Sequence, residues 1–323
     1  MTFPLTSYQI PTFPPNPRSP IHSPPSKRLQ LAPKSHHNKS TNPQTTRTPQ
    51  NGADGIPADD VKVLAKFKSR HNFIRVLQVS RKADHPFAGS RLLLLDNPGN
   101  IHSISFFLNS NLTTHTYFDV FATLPPILPP GGPLAIFGFG AGSAARLILR
   151  LYPHAVVHGW ELDPSVISVG REFFGLSKLE KDHPQRLFIY IGDAFKASVR
   201  DGFSGILVDL FSKGSLVPEL QDPKTWEMLA RCLRKGGRVM VNVGGSCVEA
   251  EDKRRDGRVV MKETLKAMRR VFGEKLFVLR LGNGKNEDSS VALTGDSPDL
   301  DAWKEKLPRS LAGYVDMWTP FRC

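Results

Sequence analysis

The hydrophobic positions of the chain change their spacing near residue 130. Before it, between residues 72 and 124, short apolar runs are separated by turn residues, a pattern typical of an antiparallel sheet. The runs predict strands at 73–79, 91–95 and 101–107. Residues 114–124 then predict a short helix, which Pro125 and Pro126 end.

After residue 132, apolar runs alternate with amphipathic stretches. The runs predict strands at 134–137, 155–160, 187–191, 205–208 and 238–243, and the stretches between them predict helices at 143–151, 164–174, 222–233 and 259–272. Two last runs, 275–281 and 290–294, predict an antiparallel hairpin across the turn 282–284. Strands that alternate with helices indicate parallel βαβ units and therefore an α/β fold with a doubly wound sheet.

Composition excludes several classes of protein. Hydrophobic residues make up 40% of the 323 positions, yet no run of eighteen apolar residues occurs, so we expect no membrane partner. The three cysteines, Cys232, Cys247 and Cys323, lack CxxC spacing, which argues against a structural zinc site and a disulfide framework.

The net charge of +13 is concentrated at the N-terminus. Residues 1–53 contain six basic residues, no acid and 11 of the 27 prolines, a composition that does not support a packed core. An acid-free, Ser/Thr-rich basic segment is typical of an organellar transit peptide, and its prolines favour a chloroplast address over a mitochondrial one. A disordered tail without an address is the alternative. The remaining charge is dispersed, so we expect no nucleic-acid partner.

The candidate chemistry follows the ends of successive predicted strands. Gly138, Gly140 and Gly142 lie between a strand and a helix, where glycines let a ligand approach and a helix N-terminus offers unpaired N–H groups. Glu161 ends the next strand, 23 residues after Gly138, where a carboxylate can accept both ribose hydroxyls of an adenosine.

Two further carboxylates, Asp193 and Asp209, end the following strands. Ligands of open α/β sheets bind at this edge, so we expect these groups to meet in one crevice. Ser143 stands where a dinucleotide site has Gly or Ala, which disfavours an NAD-dependent oxidoreductase.

Over roughly residues 72–296 the chain resembles the spermidine synthase (polyamine aminopropyltransferase) family of the class I S-adenosylmethionine-dependent methyltransferase superfamily. The resemblance is carried by five segments: 116–125 (family S-Y-Q-E-M-I-A-H-L-P), 138–143 (G-G-G-D-G-G), 160–167 (E-I-D-x-x-V-I), 192–195 (G-D-[AG]-F) and 208–212 with Pro218 (V-D-S-S-D…P).

The resemblance implies a Rossmann-like fold of seven strands, the last antiparallel, in a domain at 131–323 that follows a β region at 54–130. It implies S-adenosylmethionine or its decarboxylated form as cofactor, a small amine as acceptor and no metal. By resemblance, Glu161 would hold the ribose and Asp193 the adenine edge. Asp209, the catalytic residue, would hold the reacting amine or the sulfonium side chain. Tyr117 would line the amine site. The sequence leaves a homodimer open.

Four positions depart from the family: Ala141 and Ser212 replace aspartates, and Phe118 and Asp119 replace Gln and Glu. Because each buried ammonium needs a partner, the lost carboxylates weaken putrescine as the acceptor and leave intact S-adenosylmethionine open as a donor. We therefore expect a transferase of an aminopropyl or methyl group. The alternative is an adenosyl-binding scaffold protein with reduced catalysis.

Overall fold

The computed structural model of the chain describes residues 56–106, 113–246, 248–282 and 287–322. The predicted transit peptide at 1–53, Cys247, Cys323 and residues 283–284 of the predicted hairpin turn lie outside these residues. In the part that is described, none of the helices has the length and apolar character needed to span a bilayer.

A four-stranded antiparallel sheet comes first. Its strands are β1 (Val61–Lys68), β2 (Phe73–Val79), β3 (Ser90–Leu94) and β4 (Ile101–Phe106), paired in chain order. The three predicted strands are confirmed. The additional strand, β1, gives no clear pattern in the sequence, because it is an edge strand whose side chains are mostly exposed and include three lysines.

The helix predicted at 114–124 is shorter in the structure. It is α1 (Tyr117–Phe121), which begins after Thr116, whose side chain accepts a hydrogen bond from the Phe118 N–H. Asp119 is fully buried and accepts the backbone N–H groups of Thr114 and His115 at 2.7 and 2.8 Å. These bonds keep the residues before the helix in a turn, so Tyr117 is held at its first position.

A large mixed sheet follows, with a two-stranded ribbon beside it. The strands are β5 (Leu134–Phe137), β6 (Val157–Glu161), β7 (Leu187–Ile191), β8 (Phe203–Val208), the ribbon β9 (Phe211–Ser212) and β10 (Ser215–Leu216), β11 (Leu233–Gly244), β12 (Leu276–Gly282), β13 (Glu287–Thr294) and β14 (Thr319–Pro320). The sheet order is β14-β12-β13-β11-β8-β5-β6-β7.

The pairing confirms the predicted fold class. Strands β5, β6, β7, β8 and β11 pair in parallel, and β13 lies antiparallel between β11 and β12. All seven predicted strands are present. The eighth, β14, has only two residues and pairs with β12, and a segment this short has no period to detect.

Helices cover both faces of the sheet, as the doubly wound prediction requires. They are α2 (Ser143–Leu151), α3 (Pro164–Phe173), α4 (Leu176–Asp182), α5 (Pro223–Arg231), α6 (Gly257–Phe272), α7 (Leu300–Glu305) and α8 (Arg309–Ala312). Neighbouring residues of β5 alternate between two buried clusters: Ile136 belongs with Ile148 of α2, and Phe137 with Trp226 of α5. A strand buried on both faces is a continuous apolar run, which is why its bounds were predictable.

Candidate functional site

A cleft of about 390 Å³ opens at the carboxyl ends of β5, β6, β7 and β8. The structure brings together there five of the predicted site residues: Gly138, Gly140, Glu161, Asp193 and Asp209. Gly142 is not among the lining residues. Tyr117 lines a smaller cavity instead, and Asp209 lines both.

The three loop glycines all have positive φ angles, of 81°, 57° and 85°. At Gly138 a side chain would also collide with the protein, since a Cβ there would lie 2.1 Å from the backbone oxygen of Asp209. Gly142 has a different role, because it caps the start of α2 in the left-handed conformation. Glycine is therefore required for the close approach of β5 to β8 as well as for the turn.

Every backbone N–H of the loop 138–142 already has a partner. Gly138 and Phe139 donate to the Trp160 oxygen at 3.1 and 2.9 Å, and Gly142 donates to the Phe139 oxygen at 3.1 Å. Gly140 and Ala141 donate to side chains, as given below. The loop itself therefore offers a ligand no free N–H, while the expectation of unpaired N–H groups at the start of α2 stays a prediction.

Glu161 supports the loop from the end of β6. Its Oε2 accepts the Gly140 N–H at 3.0 Å and its Oε1 accepts the Asp163 N–H at 3.1 Å. Burial raises the pKa of Glu161, and these two hydrogen bonds oppose the rise. Each carboxylate oxygen has two lone pairs, so both oxygens can still accept a ligand hydroxyl from the cleft.

Asp193 lies at the rim of the cleft. It is exposed, and its Oδ1 accepts the Phe195 N–H at 2.9 Å, which caps the short 3-10 helix Ala194–Lys196. The second carboxylate oxygen remains available to a ligand that extends across β7.

Asp209 is held by two groups from distant elements. Its Oδ2 accepts the Tyr117 hydroxyl at 2.7 Å and its Oδ1 accepts the Asn242 side-chain N–H at 3.0 Å. Burial raises the pKa of Asp209, and the hydrogen bonds from Tyr117 and Asn242 and the nearby His102 oppose the rise. The smaller cavity beside it has a volume of about 20 Å³, room for one water-sized group.

Asn242 could not have been chosen from the sequence. It lies inside β11, and only the parallel pairing of β8 with β11 brings it beside Asp209.

His102 of β4 is the other site residue that the sequence did not indicate. It lines both cavities, and its Nε2 lies 3.1 Å from Oδ2 of Asp96. Asp96 is 1% exposed and accepts the backbone N–H groups of Gly99 and Asn100 at 2.8 and 3.0 Å. Residues 96–100 have the composition of a turn, and this turn positions Asp96. No spacing in the sequence marks His102 and Asp96 as a pair.

Ala141 has a different environment from the one its sequence position suggests. It is 1% exposed, belongs to an apolar cluster with Ile74 and Val166, and donates its N–H to the Ser103 Oγ at 2.8 Å. An aspartate at this position would be buried among apolar side chains, so Ala141 does not face the cleft. Ser212, by contrast, is exposed and lines it.

Among the described residues, no group of three or more His, Cys, Asp and Glu side chains could hold a metal ion.

No family model matches the chain. A probable polyamine aminopropyl transferase of Bifidobacterium longum (strain NCC 2705) is 23% identical over 169 residues, which cover 52% of this chain and 35% of that protein. The match thus spans about a third of that relative's length.

Solved structures agree over a larger part of the chain. A spermidine synthase in complex with the transition state analogue AdoDATO has a TM-score of 0.56 and 17% identity, covering 76% of this chain and 77% of that one. The spermidine synthase of Thermotoga maritima has a TM-score of 0.55 and 14% identity, covering 77% and 76%. A probable spermidine synthase of Corynebacterium glutamicum ATCC 13032 has a TM-score of 0.53 and 17% identity, covering 75% and 86%. The described chain therefore has the spermidine synthase fold, of the class I methyltransferase type, and the resemblance to polyamine aminopropyltransferases that its motifs predict is confirmed.

Proposed function

We propose that the chain is a transferase that binds an adenosyl sulfonium donor in the large cleft and transfers an aminopropyl or methyl group to a small amine. The observation that carries the proposal is the place of Asp209. Its carboxylate lies where the 390 Å³ cleft meets the smaller cavity, at the strand end next to the glycine loop. A carboxylate between a donor site and an acceptor site can hold an amine at attack distance.

The cleft residues fit an adenosyl group. Gly138 and Gly140 line the cleft with backbone atoms alone, and Glu161 presents lone pairs for ribose hydroxyls. Asp193 at the rim is suited to accept from the adenine edge. When bound, the donor supplies an electrophilic carbon on a positively charged sulfur. Because the loop has no free N–H, the site suits this cation better than a phosphate.

The smaller cavity favours one amino group over two. Among its lining residues Asp209 is the only acid, and the others that are polar, including Tyr117, Asn242 and Ser289, are neutral apart from His102. The cavity has room for one water-sized group, so it can take one amino group but not a second. A monoamine such as 1-aminopropane is the preferred probe, with putrescine as the diamine to compare. The scaffold alternative is not favoured, because the proteins to which the chain is similar are aminopropyl transferases and spermidine synthases.

The test is calorimetric titration of the protein with methylthioadenosine, S-adenosylmethionine, its decarboxylated form and NAD, together with mass spectrometry of the products formed with each amine. We expect binding of the adenosyl sulfur compounds, no binding of NAD and transfer to at least one amine. The two donors should differ in affinity by less than about tenfold, or about 1.4 kcal/mol, since the side-chain ammonium is common to both.

The matched variants are Glu161→Gln and Glu227→Gln, an exposed acid of α5. Glu161→Gln should weaken the binding of methylthioadenosine by about 1–3 kcal/mol. The reason is that a single amide oxygen replaces two carboxylate oxygens, which accept backbone N–H groups and would also accept the ribose hydroxyls. The second should bind like the parent. NAD binding, or equal affinity in both variants, would contradict the proposed donor site.

A further inference from the structure

Three residues, His102, Asp209 and Phe211, line both the large cleft and the smaller cavity. A group that passes from a donor in one cavity to an acceptor in the other must pass between them at this point. Phe211 has no titratable group. Asp209 already accepts one hydrogen bond on each oxygen, from Tyr117 and Asn242. His102 is the other titratable group at the junction, while the lone pairs that remain on the Asp209 oxygens can orient an amine.

The bond between His102 and Asp96 determines how the imidazole is presented. Asp96 is itself fixed, since its two oxygens also accept the backbone N–H groups of Gly99 and Asn100 and the Asn100 side chain, the last at 2.6 Å. A carboxylate beside Nε2 keeps the proton on that nitrogen in the neutral ring, which leaves Nδ1 as an acceptor. Among the described residues no group donates to Nδ1, and the side chain is 17% exposed.

We propose that His102 is the catalytic base of the transfer and that Asp96 is its positioning residue. The inference deepens the proposed function and rests on it. In the step, the lone pair of the amine nitrogen forms the new C–N bond, the electrons of the breaking C–S bond leave with sulfur as a neutral thioether, and one N–H proton passes to Nδ1 of His102. Asp209 accepts a second N–H of the same amine and orients it. The proton is later released to water, so no other reactant is needed.

The surrounding charges make the role depend on pH. The groups that face His102 are Asp96 in the turn after β3, Asp209 at the end of β8 and Glu161 at the end of β6. Burial alone would lower the pKa of His102, but the hydrogen bond to Asp96 and the charges of the three acids raise it above the ordinary value. Since only the neutral ring can accept a proton, the transfer rate should rise with pH through this raised pKa.

The experiment follows transfer from both donors to 1-aminopropane and putrescine by mass spectrometry, with methylthioadenosine affinity measured on the same samples. His102→Gln should lower kcat by about 10²- to 10⁴-fold and leave the affinity within threefold of the parent. The matched control is His85→Gln, because His85 is a partly buried histidine near the same sheet but outside both cavities. Asp96→Asn should shift the acid limb of the kcat profile to lower pH. Added imidazole should partly restore His102→Ala.

Unchanged kcat in His102→Gln, or an acid limb that Asp96→Asn does not move, overturns the base role while the proposed function stands. A selective loss of affinity for S-adenosylmethionine with unchanged kcat would make His102 a donor-binding residue, which also overturns it. If the parent protein binds no adenosyl compound or transfers to neither amine, the proposed function fails and the role of His102 fails with it. Should His102→Gln not fold, the Asp96→Asn profile remains as the test.

Discussion

Replacing Gly138 by alanine tests whether the glycine loop positions Asp209. Gly138 has φ of 81°, and an added Cβ would lie 2.1 Å from the Asp209 backbone oxygen and 2.8 Å from its carbonyl carbon. Gly236, in the irregular first part of β11, has a nearly equal φ of 78° but no atom within 4 Å of an added Cβ. Comparing Gly138→Ala with Gly236→Ala therefore separates the cost of backbone strain from the cost of steric overlap.

The expected magnitudes follow from these distances. An alanine in the left-handed region costs roughly 1–2 kcal/mol at either position. At Gly138 the Asp209 carbonyl must also move by about 1 Å to relieve the overlap, at a further cost of about 1–3 kcal/mol. Because the Asp209 N–H donates to the Phe137 oxygen at 2.8 Å, the whole strand end has to move. A 1 Å displacement of a reacting group costs about 10²-fold in rate.

The assay is urea unfolding of both variants, with the free energy taken from the midpoint and slope, followed by the rate of transfer to 1-aminopropane. We expect Gly236→Ala to lose about 1–2 kcal/mol and keep its transfer rate, and Gly138→Ala to lose about 2–5 kcal/mol and about 10²-fold in rate. Equal stability losses would show that the approach of β5 to β8 does not require glycine. Equal rates would show that the loop does not position Asp209.

Three further predictions concern other parts of the molecule. Tyr117→Phe should lower the free energy of unfolding by about 1–3 kcal/mol, because a partly buried Asp209 oxygen loses the hydroxyl that donates to it at 2.7 Å. The control is Tyr190→Phe, at an exposed tyrosine, and its free energy of unfolding should change by less. Equal changes in the two variants would contradict the reasoning. Burial acts to raise the pKa of Asp163, but hydrogen bonds from Ser69, Asn72 and Ser165 outweigh burial, so the pKa is lowered. The ionised carboxylate therefore stabilises the fold above about pH 4, and this stabilisation is lost as the pH falls through the lowered pKa. The difference in unfolding free energy between the parent and Asp163→Ala should therefore shrink in acid, and a constant difference would be contrary evidence. Residues 1–53 fused to a fluorescent reporter should carry it to plastids, and a reporter left in the cytosol would refute the proposed address.

The elements that the sequence predicted best have either a continuous apolar run or a strong helical period. The strands 134–137 and 187–191 and the helix 143–151 match β5, β7 and α2 at both ends. The first is buried on both faces, and the helix repeats apolar residues every three to four positions. Three lysines interrupt β1, and β14 and α4 have only two and seven residues, so these elements carry no comparable signal.

The same distinction applies to the site. Gly138, Glu161 and Asp209 could be chosen because parallel strands end at one edge, so residues that follow successive strands must lie near one another. Asn242 could not, because only the pairing of β11 with β8 places it beside Asp209. His102 could not, because it comes from the separate first sheet, far from Asp209 in the chain.

Ala141 shows the limit of a local motif. The sequence alone determined that the loop is glycine-rich and lacks a carboxylate at this position, and it determined which strand ends would share an edge. Only the tertiary structure decided that Ala141 turns into an apolar cluster, that the loop N–H groups are already bonded, and that a histidine from the first sheet reaches the junction of the two cavities. The physical reason is that hydrophobic period and turn chemistry act over neighbouring residues, whereas side-chain direction and hydrogen-bond partners depend on how separate elements pack.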